Sequence, residues 1–161
     1  MFDNEIAINE LQLGLFASIA ADIPEDQLFS PGAGHGHPPA WILGHLAVTG
    51  EMGCQLLGGS LVHDDWISEF GPGSSDFVQP RSDLSKDVLV SAVTSAYESL
   101  RTMARNADAN VTERPHGIEL FANTPVKTVS HAVALLLTNH FGFHLAQLSS
   151  CRREQGHAAL F

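Results

Sequence analysis

The sequence predicts an all-α fold arranged as a four-helix bundle. Apolar residues recur at helical spacing in four segments, and connections rich in glycine and proline separate those segments. No stretch alternates apolar and polar residues as a half-buried strand would. With 161 residues, 44% hydrophobic and 16% charged, the chain fits a single domain, 1–161, with a real hydrophobic core.

The first helix is expected over roughly residues 4 to 21, after an Asp3/Asn4 cap, with Ile8, Leu11, Leu15 and Ile19 at helical spacing. "SPGAGHGHPP" (30–39) then breaks the chain, and Pro38 and Pro39 suit the first turn of a second helix. That helix runs to about residue 57 with Trp41, His45, Val48 and Met52 on one stripe, and the glycines at 58 and 59 end it. The long connection "SLVHDDWISEFGPGSSDFVQPRSDLS" exceeds a simple bundle turn and reads as a functional or domain-covering loop. Ser85 caps a third helix to about residue 106, with Val88, Ala92, Ser95, Ser99 and Met103 on a face. "TPVKTVSH" opens the fourth, which continues to about Glu154 before Gly156.

Charge and cysteines narrow the function classes. Eighteen acidic residues against eight basic ones give a net charge of −10 without a Lys/Arg-rich patch, so nucleic acid is not an expected partner. Cys54 and Cys151 form neither a disulfide framework nor a zinc knuckle. The acidic start "MFDNEIAINE" is unlike a signal peptide, and no apolar run approaches the roughly 20 residues of a membrane span. A cytoplasmic protein with reduced thiols and no membrane partner is the expectation.

The fourth helix carries the chemistry. In "LLLTNHFGFHLAQLSSCRR" (135–153), 100° per residue puts Val133, Leu137, His140, His144, Gln147, Leu148 and Cys151 on one broad face. Two imidazoles one turn apart in an apolar stripe can converge on one ion. Hydrogen-bonded core histidines are the plainer alternative. A third imidazole, His45 in "WILGHLA", sits on the stripe of the second helix that should face the core. Three neutral imidazoles suit Zn, Ni or a related ion, and the lack of a fourth protein ligand leaves a position open. His131 points away, Cys54 lies half a turn from His45, and Cys151 lies about 10 Å along the axis from His144. His35 and His37 read as flexible, exposed loop residues.

"GHLA" around His45 and "NHFGFHLAQLSSCRREQG", with its pattern H-x-x-x-H-x-x-Q-L followed by an arginine pair and glycine, resemble the DinB-like superfamily of damage-inducible-type proteins. "WISEFGPGSS" and the terminal "HAALF" resemble one subgroup, while Ala146 stands where many relatives carry glycine. The resemblance implies an up-down-down-up bundle, commonly dimeric, with one divalent metal on His45, His140 and His144. It does not fix a reaction, since relatives include thiol-dependent S-transferases and members without known activity.

Two main functions therefore stand open. One is a metal-dependent transferase using a low-molecular-weight thiol as cosubstrate, with Gln147 contacting a ligand or an imidazole and Trp41 and Phe143 lining a pocket. The other is a non-catalytic, metal-stabilised bundle that binds a small molecule or responds to stress. Leu135, Leu136, Phe141, Phe143 and Leu145 make the fourth helix apolar almost all round, which points to a homodimer interface, with Gly142 permitting close approach. A metal-dependent hydrolase is the third reading, because the same cation could activate water.

Overall fold

The structure, a computed structural model, describes residues 1–32 and 34–160; Ala33 of the turn-rich break and Phe161 of "HAALF" lie outside them. Four long helices form the bundle: α1 (Asp3–Ala21), α2 (Pro39–Leu56), α3 (Lys86–Asn106) and α4. The last is continuous over 129–154 but irregular, with α-helical Val129–Leu135, a single π-helical turn Leu136–His140, and α-helical Phe141–Glu154. No strand forms among the described residues, where pairing is limited to an isolated Pro115–Thr128 bridge.

The helix boundaries follow local chemistry. Pro39, whose missing N–H costs nothing at a helix start, opens α2 behind Pro38, and Gly58 adopts φ +94° just beyond its end. Ser85 Oγ accepts the Val88 N–H at 3.3 Å and caps α3 as the sequence predicts. Thr128 does the same for α4 through the His131 N–H, so α4 starts at Val129 and the rest of "TPVKTVSH" before it stays outside. The expected Asp3/Asn4 cap is not formed. Phe2 occupies the cap position, and Asp3 lies inside the first turn, where its charge complements the helix dipole.

Two faces also differ from expectation. On α1 the buried residues are Ile6, Asn9, Phe16, Ile19 and Ala20, while Ile8 and Leu11 are 46% and 67% exposed. This helix is apolar on two sides, and spacing alone picks the outer stripe except at Ile19. On α3 the buried set is centred on Leu89, Val93, Ala96, Tyr97 and Leu100; Ala92 joins it, but Val88, Ser95 and Ser99 are exposed. A shift of one residue, 100° around the axis, separates the two choices.

Helix directions can be read from contacts. Gly50 lies against Ala96 and Tyr97, and Gly53 against Leu100, so α2 and α3 run parallel. A methyl group on Gly53 would stand 2.9 Å from the Leu100 methyls, so glycine there lets the two helices approach closely. Asn9 bonds to Leu137, Phe16 packs on Phe141 and Asp22 pairs with Arg152, so α1 and α4 are also parallel. Lys86, at the start of α3, bonds to Ile23 O beyond the end of α1, while Arg101 reaches Asn9; this pair is antiparallel. The bundle is up-down-down-up.

Parallel α2 and α3 need a crossover, and residues 57–85 supply it. This connection holds a 3₁₀ turn (Asp64–Trp66) and a one-turn helix (Ile67–Phe70), and it buries Trp66, Phe70, Val78 and Leu84. Buried Glu51 of α2 pins its start: Oε2 accepts the Val62 and His63 N–H groups at 2.9 Å, and Oε1 lies 2.6 Å from His63 Nδ1. No helix among the described residues is long and apolar enough to cross a membrane.

Candidate metal centre

Almost every residue of α2 is buried, so the imidazole of His45 is committed to the interior at 5% exposure. Gly44 matters to it, because the Phe70 ring occupies the space a Cβ would take there. That close approach brings the Phe70 carbonyl to 2.6 Å from His45 Nδ1. A carbonyl only accepts, so Nδ1 carries the proton and Nε2 presents its lone pair. His144 is set the same way by Gln147, whose Oε1 lies 2.7 Å from His144 Nδ1.

His140 completes the group. Its Nε2 is 3.2 Å from His45 Nε2, and one nitrogen from each of the three rings lies within 4.8 Å of the others, a group that could hold a metal ion. No cysteine or carboxylate joins it among the described residues. Two lone pairs do not face each other at such a distance without something between them, either a proton on His140 or a cation. Tetrahedral ligation at about 2.0–2.1 Å separates ligand nitrogens by roughly 3.3–3.4 Å, close to the 3.2 Å between His45 and His140. The Nδ1 of His140 is buried and has no hydrogen-bond partner among the described residues, so it is free to carry the proton when Nε2 is needed as a donor to an ion.

Burial pushes His140 down to about 3 and His144 down to about 4, and the neighbouring imidazoles add to each shift. His45 is lowered too, by burial first, against the raising effect of its bond to Phe70. All three are therefore neutral at pH 7, and protons do not compete with a cation for their lone pairs.

Around the group, Trp41 stacks on His45 at 4.6 Å, and His37 stacks on the far face of Trp41 at 4.2 Å. Trp41 Nε1–H donates to Ser74 Oγ at 3.0 Å. His35 and His37 are thus half-buried instead of flexible and exposed: His37 Nδ1 lies 2.6 Å from Asp76 Oδ1, and His35 Nε2 lies 3.1 Å from Ser150 Oγ. Neither joins the three-histidine group. His131 is exposed and Cys54 bonds back to Ala96 O, as their helical phase predicts. Buried Cys151 sits 3.7 Å from His35 Nε2, outside the group.

A cavity of about 470 Å³ reaches His45 and His140. Trp41 lines it, whereas Phe143 is 60% exposed, touches His144 edge-on and is not part of the lining. Two parts of this site escaped the sequence reading. One is the connection between α3 and α4, which supplies His116, Ile118, Leu120 and Phe121 to the walls. The other is the π-helical turn that ends on His140.

In that turn the Phe141 N–H bonds to Thr138 O, not to Leu137 O as a regular α-helix requires. Leu137 O instead accepts the Asn9 amide at 2.9 Å, and Thr138 O also accepts Gln12 Nε2 at 3.2 Å. Asn9 Oδ1 in turn accepts Arg101 Nη1 at 3.0 Å, so fully buried Asn9 ties α3 to the turn. Gly142 leaves room for the Gln12 amide, which a Cβ would meet at 2.7 Å. The one available signal was Asn9 itself, an amide three residues after Ile6 on the inward face of α1.

A helical bundle that brings three imidazoles from two facing helices to one point beside a cavity defines a class of protein that could hold a metal ion. The chain belongs to the DinB superfamily, whose model matches residues 10–148 and so includes all three histidines. Comparison with curated proteins gives no match, and comparison with solved structures gives none either.

Proposed function

We propose that His45, His140 and His144 hold one divalent transition metal, zinc or nickel, and that the protein is a metal-dependent transferase joining a low-molecular-weight thiol to a small molecule. The observation that carries this reading is the pairing of a three-nitrogen group, without a fourth protein donor among the described residues, with a cavity that reaches two of its members. His45, His140 and His144 would hold the ion, and the chemistry it would supply there is a lowered pKa for a thiol or water, making a nucleophile near neutral pH. The chain's part is positional. Phe70 O and Gln147 Oε1 fix two imidazole tautomers, Trp41 walls one side, and the apolar lining limits water. In the overall exchange the sulfur gains the transferred group, and its proton goes to the departing group or, where an epoxide opens, to the ring oxygen of the broken C–O bond.

The cavity favours this over a purely structural centre, which would need no access. The test is a panel of low-molecular-weight thiols against alkylating and epoxide electrophiles, using metal-loaded protein and a His45→Ala/His140→Ala/His144→Ala control. Thiol consumption by the wild type alone supports the transferase. Tight ligand binding without consumption would hand the site to the non-catalytic reading.

A homodimer belongs to the same proposal. Ile8 and Leu11 are exposed on the outer side of α1, beside an apolar groove whose lining includes half-buried Leu15, Ile19, Gly142, Leu145 and Ala146. Sedimentation is expected to give twice the chain mass; a monomer at high concentration contradicts it.

A further inference from the structure

The cavity beside the three histidines is unusual in what it lacks. No Lys, Arg, Asp or Glu is among its described lining residues. Trp41, Met52, Leu56, Ile118, Phe121 and Leu136 are among the apolar residues of its wall. The polar atoms present are already engaged. Thr49 Oγ1 donates to His45 O at 2.6 Å. The ring of His116 is used at both nitrogens, with Nε2–H donating to Val126 O at 3.0 Å and Nδ1 accepting the Ile118 N–H at 2.7 Å. Besides the histidine pair at the inner end, the side-chain amide of exposed Gln55 is the polar group left to meet a ligand.

From this lining we infer that the cavity takes an uncharged, largely apolar small molecule, such as an aromatic or alkyl electrophile, and rejects anionic ones. A carboxylate held along these walls, away from the histidine end, would lose water and find no lysine, arginine or uncommitted side-chain hydroxyl among the described lining residues. The chain's net charge of −10 adds long-range repulsion. The inference rests on the three-histidine centre being the reacting end only for its meaning in turnover; the selectivity itself is a property of the walls. It also divides the two cosubstrates: the transferred group occupies the cavity, and a thiol bearing carboxylates keeps them outside the mouth.

Two isosteric probes test this, 2-naphthamide and 2-naphthoate, titrated calorimetrically into the full chain with and without zinc. In the zinc-free chain the amide is expected to bind at least about tenfold more tightly than the carboxylate. Leu120, 70% exposed at the cavity wall, offers a control that does not touch the core. Leu120→Arg should narrow that ratio by about tenfold by giving the carboxylate a partner. Equal or tighter binding of the carboxylate by the wild type overturns the inference, as does an unchanged ratio in Leu120→Arg. Failure of zinc to bind would instead strike the metal reading and leave the probe ratio intact.

Discussion

Alanine at both His140 and His144 is expected to strip the metal from the protein. Wild type should carry about one divalent ion per chain in elemental analysis, and the double variant close to none. The loss should be at least about a thousandfold in affinity, beyond the roughly 10–100-fold typical of losing an outer partner of a ligating imidazole. Helix content should persist, because Leu137, Phe141, Leu145 and Leu148 still fill the core side of α4. Unchanged occupancy would refute the assignment.

The same variant carries a signature in acid. In the metal-free chain the two imidazoles move from an ordinary pKa of 6.5 to about 3 and about 4 on folding. Below pH 6.5 the unfolded chain binds protons that the folded chain refuses, so stability is complete above that value and declines as pH falls towards 4 and 3. Metal-free wild type should therefore melt at a lower temperature at pH 5 than at pH 7, and the double variant should show a smaller difference.

Asn9→Leu should have the next largest effect. It keeps the side-chain size but removes the donor to Leu137 O and the acceptor for Arg101. Leaving such groups unpaired costs about 1–3 kcal/mol each, and half-buried Arg101 recovers some water, so a loss of roughly 2–3 kcal/mol is expected. In a chain of this size that lowers Tm by about 4–12 °C. Metal affinity should also fall about tenfold or more, because the π-helical turn held by Asn9 ends on His140. Leu100→Ala is the comparison: it opens a core cavity beside Gly53, two turns along α2 from His45, and should lower Tm without moving metal affinity. Equal affinity losses in the two variants would show that Asn9 acts through stability alone.

These cases show where the sequence is readable. Helix existence was legible from period and breakers, and so were the Ser85 cap and the Pro39 start, since each depends on neighbours in the chain. The grouping of the three histidines was legible because the four-residue spacing of His140 and His144 and the inward stripe of α2 that carries His45 survive the irregular turn ending on His140. The inward faces of α1 and α3 were not, because Leu11 and Val88 are as apolar as the residues that won burial, and only packing decides between them. The π-helical turn was invisible to a projection at 100° per residue, and Asn9 acquires its meaning only through partners 92 and 128 residues away. The part of the cavity wall drawn from irregular connections, such as Glu119–Phe121, has no period to detect.

The crossover from α2 to α3 has a consequence for the order in which this protein can become competent. His45 takes its tautomer from Phe70, which belongs to the crossover and must first fold back onto α2 beside Gly44. Until then its ring can rotate and offer either nitrogen, so readiness to receive an ion is a late event in assembly, gated by docking of a loop instead of by formation of the helices.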